Sequence, residues 1–131
     1  MREAATPQFP LRLLPGELAV CRLQAAAPTP AWADGAPFSC VMRTLDELSI
    51  VCAAGNVPAG VQHEAGWRAF QLIGPVPFTT TGVVSGLTAP LAAAGVGVFI
   101  LSTFDTDYLL VKASNLGKAQ AALAAAGFEL R

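Results

Sequence analysis

The feature that most constrains this chain is a long stretch without charge. No Asp, Glu, Lys or Arg occurs between Arg68 and Asp105. A membrane span would need about 20 consecutive, predominantly apolar residues. Glycine, proline, serine and threonine interrupt this stretch at short intervals, so its apolar segments are shorter than a bilayer is thick. The stretch therefore predicts a buried protein core rather than a membrane span.

The overall composition is typical of a compact domain with little catalytic equipment. The 131 residues are 53% hydrophobic and 13% charged, the net charge is −1, and there is one histidine. A near-neutral charge disfavours a protein held on nucleic acid by phosphate contacts or on a membrane by basic residues. A single histidine excludes a multi-histidine metal site and weakens Ser–His or Cys–His catalysis. We predict no metal, no cofactor and no catalytic residue.

The N-terminal residues 1–10 contain Arg2 and Glu3 but lack the apolar run of a signal peptide. They are interpreted as a flexible arm, and a cytoplasmic location follows as the default expectation. The three cysteines, Cys21, Cys40 and Cys52, form no CxxC pair and are predicted to be buried, reduced thiols. A regulatory disulfide between Cys40 and Cys52 is the alternative, because both flank a predicted hairpin.

Residues 11–62 are predicted to form a small module rich in strands. The expected elements are a strand, a Pro15-Gly16 turn and a second strand over 11–24, a loop or short helical turn over 25–37, and a hairpin over 38–53. Residues 54–66 are interpreted as the connection to the second half. His63 lies in this connection and is expected to be an exposed bystander, since it lacks an orienting partner.

Residues 63–131 are predicted to form a complete βαββαβ unit. The strands are expected at 67–73, 96–103, 107–113 and 128–130, and the helices at 82–94 and 115–126. This order predicts an α+β, ferredoxin-like fold with both helices on one face of the sheet. In the first helix the expected apolar stripe is Val84, Leu87, Leu91 and Ala94. Pro90 predicts a bend or a helix restart capped by Thr88.

The segments APLAAAG and VGVFILSTFDTDYLLV resemble the ACT domain, a small-molecule-sensing module of amino-acid metabolism. More narrowly, they resemble the CASTOR-type small tandem ACT proteins, bacterial relatives of the cytosolic arginine sensors. The close resemblance covers residues 67–130, and the first half resembles the family's N-terminal module more loosely. The resemblance implies one complete ACT module and one degenerate ACT-like module packed side by side.

In that family the ligand lies at an interface between ACT modules, which implies a site at two places in this chain. One is the loop and helix start at Thr80, Thr81, Gly82, Val83 and Val84, and the other is the turn at Thr103, Phe104 and Asp107. Backbone N–H groups at a helix start suit a carboxylate. The carboxylate of Asp107 suits an ammonium or guanidinium group, with Asp105 as the alternative partner.

Each of these residues also has a purely structural interpretation. Asp105 and Asp107 bracket a tight turn, where aspartate is common because it bonds its own backbone. The threonines at 79–81 are also typical helix caps, and Phe104 is also compatible with an ordinary core position.

The favoured function is a non-catalytic regulatory protein that binds a free amino acid or a similar small metabolite and forms a homodimer. Its output is expected to pass through an unidentified protein partner or a change of oligomer. No nucleic acid or membrane partner is expected. One alternative is a structural or dimerisation protein without a working ligand site. The other is a small cysteine-dependent enzyme, which is disfavoured because the thiols lie in apolar strand segments and the one histidine lies in a predicted linker.

Overall fold

The computed structural model describes residues 8–35 and 37–131, so the first seven residues of the predicted N-terminal arm lie outside it. The described residues form seven strands and two α-helices: β1 (Leu11–Leu13), β2 (Leu18–Leu23), β3 (Cys40–Arg43), β4 (Leu48–Ala53), β5 (Gln62–Leu72), α1 (Val83–Ala93), β6 (Phe99–Ser102), β7 (Asp107–Lys112) and α2 (Leu116–Ala125). Among these residues no helix is long and apolar enough to cross a membrane.

The chain divides into two compact units. The first unit is Pro15–Arg68, and the second unit combines Met1–Leu14 with Ala69–Arg131. This differs from the predicted boundary after residue 62, which gave residues 11–14 to the first module. The reason is that β1 pairs antiparallel with the end of β5, with Leu11 opposite Leu72.

The first unit is an antiparallel sheet in the order β3–β4–β2–β5. The predicted hairpin is confirmed as β3 and β4, with Arg43 opposite Leu48. A small core lies against this sheet, formed by Ala19, Cys21, Ala33, Leu48, Ile50 and Cys52. Residues 25–37 contribute a 3-10 turn at Ala31–Ala33, as expected. The predicted connection is shorter than expected, because β5 begins at Gln62 and His63 pairs with Cys21 of β2.

The strand register separates two of the three cysteines. Cys40 lies opposite Val51, the neighbour of Cys52 along β4. Successive side chains of a strand point to opposite faces, so Cys40 and Cys52 lie on opposite faces of the sheet. The alternative of a disulfide between them is therefore wrong, and all three cysteines are free thiols.

The second unit has the sheet order β1–β5–β7–β6. Helix α1 connects β5 to β6, and α2 leads from β7 to the residues that bridge to β1, which confirms the α+β, ferredoxin-like arrangement. The expected last strand at 128–130 is reduced to a single parallel bridge between Leu130 and Leu11. The amide of Leu11 donates to the carbonyl of Glu129 (2.9 Å), and the amide of Arg131 donates to the carbonyl of Leu11 (2.7 Å). The N-terminal strand β1 thus occupies the place beside β5 that the last strand takes in a ferredoxin-like sheet.

The core of the second unit packs both helices against the sheet. Its buried members are Leu11, Phe70, Leu72, Val83, Leu87, Leu91, Val96, Leu109, Val111, Ala119, Leu123 and Phe128. Helix α1 buries Val83, not Val84, which is 40% exposed. The predicted stripe is therefore wrong at its first position, because the buried residues Val83, Leu87 and Leu91 follow a spacing of four. The helix also runs through Pro90 without restarting at Thr88.

Candidate functional site

A pocket of about 360 Å³ lies in the second unit where α1 begins and β6 turns into β7. Its lining consists of Val76, Pro77, Phe78, Thr80, Gly82, Val83, Val84, Ser85, Ser102, Thr103, Phe104, Thr106 and Asp107. Two walls contribute these residues: the loop that leads from β5 into α1, and the β6–β7 hairpin.

The first wall contains the start of α1. Gly82 is the N-cap residue and has a left-handed backbone (φ +79°) that favours glycine. No side chain caps this helix, so the interpretation of the threonines as caps is wrong. The first bond of the helix joins the amide of Gly86 to the carbonyl of Gly82 (2.9 Å). Among the described residues, the amides of Val83, Val84 and Ser85 thus have no protein acceptor, as at any uncapped helix start.

The second wall is a turn whose conformation is stabilised by hydrogen bonds of two threonine side chains. The amide of Thr103 donates to the carbonyl of Thr106 (2.8 Å), and the amide of Thr106 donates back to Thr103 Oγ1 (3.2 Å). The buried hydroxyl of Thr106 donates to the carbonyl of Leu72 in β5 (2.6 Å). Threonine therefore fixes this turn, rather than Asp105 or Asp107, to which a turn-forming role was the alternative interpretation.

A backbone hydrogen bond joins the two walls. The amide of Val76 donates to the carbonyl of Asp105 (2.7 Å). Gly74 allows the loop to approach this closely, because a Cβ atom there would lie 2.7 Å from the amide nitrogen of Val76. The spacing of the walls is thus set by backbone contacts.

Asp107 is the one ionisable side chain among the residues that line the pocket. It lies opposite Ser102 in the β6–β7 ladder, and the hydroxyl of Ser102 donates to Asp107 Oδ1 (2.6 Å). This bond orients the carboxylate while its second oxygen stays available to a cation. A hydrogen-bonded carboxylate is a strong acceptor for an ammonium group.

Two phenylalanine rings stand at the edge of the pocket. Phe78 is 75% exposed and Phe104 is 81% exposed. The rings meet edge to face, with centroids 5.1 Å apart and planes at 89°. The interpretation of Phe104 as a core residue is therefore wrong.

The structure brings seven of the nine predicted site residues to this pocket: Thr80, Gly82, Val83, Val84, Thr103, Phe104 and Asp107. Thr81 and Asp105 do not line it, and Asp105 contributes its carbonyl to the contact with Val76. Sequence reasoning missed the other six lining residues, which are Val76, Pro77, Phe78, Ser85, Ser102 and Thr106. The signal for Ser102 was present, since it precedes Thr103 in the STFDTD segment and a two-residue alternation places it opposite Asp107.

The cysteines are poorly suited to nucleophilic catalysis. Burial, with a smaller contribution from Cys52, raises the pKa of Cys21 to about 11. Burial also raises the pKa of Cys40 and of Cys52. A nucleophilic cysteine requires the opposite shift, because the thiolate is the reactive form.

Sequence comparison identifies the second half of the chain. Residues 62–125 match the ACT domain family, and residues 16–60 match a family described as an N-terminal domain. No curated protein matches the chain.

Solved structures extend this similarity to the whole chain. The crystal structure of protein Atu0741 from Agobacterium tumefaciens is 43% identical over 95% of this chain and 93% of that one, with a TM-score of 0.90. Protein VC0802 from Vibrio cholerae, described as a possible transport protein of unknown function, is 17% identical over 91% and 90% (TM-score 0.74). The regulatory subunit of aspartate kinase from Thermus flavus is 11% identical over 94% and 99% (TM-score 0.60) and shares the fold. The chain therefore belongs to the same family as protein Atu0741, and its residues 62–125 match the ACT domain family.

Proposed function

We propose that this chain is a regulatory protein that binds a free amino acid in the pocket between the start of α1 and the β6–β7 turn. ACT domains bind small molecules, and the fold is shared with an aspartate kinase regulatory subunit, which supports a regulatory role. One observation carries the proposal: a single pocket contains unbonded backbone N–H donors and one oriented carboxylate.

These two groups suit the two charges that all free amino acids share. The amides at the start of α1 and the partial positive charge of the helix end favour the α-carboxylate. The carboxylate of Asp107 favours the α-ammonium group. The ligand carries both charges at neutral pH, so each finds a partner of opposite sign without any basic side chain in the pocket.

We further propose that the chain is a CASTOR-type tandem ACT protein whose ligand is covered by a second module. The pocket is open on the side of Phe78 and Phe104, and a homodimer would supply a surface to close it. Ligand binding would then favour the closed assembly, and a protein partner would respond to that change.

The test is thermal unfolding of the full chain against a panel of the common amino acids. A ligand at 100 times its Kd stabilises the protein that binds it by about 2.7 kcal/mol. Asp107→Asn removes the charge but keeps the shape and an acceptor for Ser102, so we expect it to abolish most of this stabilisation. Asp105→Asn is the matched control, because it removes a charge from the same turn outside the pocket.

If the ligand still stabilises Asp107→Asn but no longer stabilises Asp105→Asn, then Asp105 rather than Asp107 contacts the ammonium group. Retention in both variants would refute the carboxylate contact altogether. If no amino acid stabilises the unmodified chain, the proposal fails and a purely structural or dimerisation role is favoured.

A further inference from the structure

We infer that the side chain of the bound amino acid is uncharged and apolar, and that Phe78 and Phe104 form its contact surface. This inference rests on the proposed function and specifies the class of ligand. It starts from the exposed rings, which neither the folding core nor the contacts to the α-carboxylate and α-ammonium groups explain.

The two rings are costly to leave in water. Six large hydrophobic side chains are exposed among the described residues, and three of them, Phe78, Val84 and Phe104, line this one pocket. Removing apolar surface from water is favourable by about 25 cal/mol per Å². An apolar ligand group that covers these three side chains would therefore gain binding free energy from their burial. The rings lie beside the polar groups that hold the amino-acid backbone, where a ligand side chain would emerge.

The charges of the pocket disfavour both acidic and basic ligand side chains. No Lys, Arg or His lines it, so an acidic side chain would be desolvated without a partner. A basic side chain would compete with the α-ammonium group for Asp107, the one lining carboxylate. The edge-to-face packing at 89° also occupies one ring face with the other ring, which prevents the two faces from enclosing a cation.

The test compares Kd values of the full chain for leucine, methionine, phenylalanine, alanine, lysine, arginine and glutamate, by calorimetry. We expect the large apolar amino acids to bind most tightly. Phe104→Ala and Phe78→Ala should each weaken leucine binding about tenfold and leave alanine binding nearly unchanged, since alanine does not reach the rings. Leu45→Ala is the matched control, because Leu45 is 99% exposed and lies outside the pocket.

Both ring variants are expected to fold, because neither ring is buried in the core. Tightest binding of arginine, lysine or glutamate would overturn the inference but leave the proposed function intact. Binding of no amino acid would overturn both. If Phe104→Ala dissociates a dimer, as measured by sedimentation, and leaves the preference for leucine over alanine unchanged, the rings contact protein rather than ligand and the inference is wrong.

Discussion

Two hairpins of this chain have the same construction but different chemistry. The three elements β3, β4 and the 3-10 turn Ala54–Asn56 begin at residues 40, 48 and 54, and β6, β7 and the 3-10 turn Ala113–Asn115 begin 59 residues later, at 99, 107 and 113. Both turns start with a threonine, Thr44 in the first unit and Thr103 in the second. In each turn the threonine hydroxyl accepts hydrogen bonds from backbone N–H groups of the turn. An exposed apolar residue and an aspartate follow in each. The repeat shows that the two hairpins, each with the 3-10 turn that follows it, share one local construction.

The hairpins differ at the pair of residues that flanks the turn. In the second unit this pair is Ser102 and Asp107, which are hydrogen-bonded and line the pocket. In the first unit the equivalent pair is Arg43 and Leu48. Leu48 is fully buried in the core, and the guanidinium of Arg43 donates to the carbonyl of Ala25 and the hydroxyl of Thr29 (3.4 Å). The same backbone arrangement therefore lines a pocket in one unit and anchors a buried core in the other.

The chain that precedes each hairpin explains the difference. Before β6 the chain forms α1, whereas the described residues before β3 form only the 3-10 turn Ala31–Ala33. Among the described residues of Pro15–Arg68, helical structure is limited to 3-10 turns of three residues, which have no free helix start comparable to that of α1. The comparison shows that the hairpin alone does not form a pocket. The pocket also requires the start of α1 as its second wall.

Exchanging the residues that distinguish the hairpins should have the largest effect. Leu48→Asp places a carboxylate in a fully buried position, and the guanidinium of the opposite residue Arg43 is already bonded to Ala25 and Thr29. We therefore expect a loss of about 4 kcal/mol in the free energy of unfolding. The reverse exchange, Asp107→Leu, should change that free energy by less than about 1 kcal/mol and abolish ligand binding. Urea unfolding with and without ligand measures both.

Leu45→Asp controls for the added charge, since Leu45 lies in the same turn as a fully exposed residue. An equal loss of stability in Leu45→Asp and Leu48→Asp would show that the first hairpin is not anchored in a core. That result would break the comparison.

Two glycines of α1 should respond in opposite directions to the same substitution. Gly82→Ala forces a left-handed backbone on a residue with a Cβ atom, which should lower the free energy of unfolding by about 1–2 kcal/mol and weaken ligand binding. Gly86→Ala adds a methyl group in open space within the helix, which should raise stability by about 0.5–1 kcal/mol. If both variants change the free energy of unfolding by the same amount, Gly82 is not the N-cap of α1.

Alkaline unfolding should be a property of the first unit, which contains all three thiols. The pKa of Cys21 is raised from 9.0 to about 11 in the folded chain. Its stabilising contribution is therefore complete below the unfolded pKa and is lost as the pH rises through the folded one. Urea unfolding between about pH 8 and about pH 11 should show a smaller decline in stability for Cys21→Ala than for the unmodified chain. If Cys21→Ala loses as much stability over this pH range as the unmodified chain, ionisation of Cys21 is not the cause of the loss.

Local patterns predicted much of the second unit. Helical periodicity located α1 and α2, and the apolar strands and turn residues located β6, β7 and the β3–β4 hairpin. The error at Val83 has a simple cause: the stripes that begin at 83 and at 84 share Leu87 and Leu91, so the sequence alone does not separate them. The resemblance pointed to the pocket because its residues lie in continuous segments.

The features that were missed depend on contacts between distant residues. Nothing local marks the three residues of β1 as a partner of β5, because that pairing joins residues about 60 positions apart along the chain. The exposure of Phe78 and Phe104 likewise follows from how two loops meet at the Val76–Asp105 contact. Sequence periodicity predicts one secondary-structure element at a time and does not predict such tertiary contacts.

The strand β1 has a consequence for the modularity of this protein. The ACT match begins at residue 62 and ends at residue 125, yet Leu11, Leu13 and Pro10 supply hydrogen bonds that complete the same sheet. A gene segment that encodes only the matched range would leave one side of the last part of β5 bare. The matched range is therefore not a complete structural module. A fusion protein that contains it has to include β1 as well. Recombination at the apparent domain boundary would separate two paired strands of one sheet.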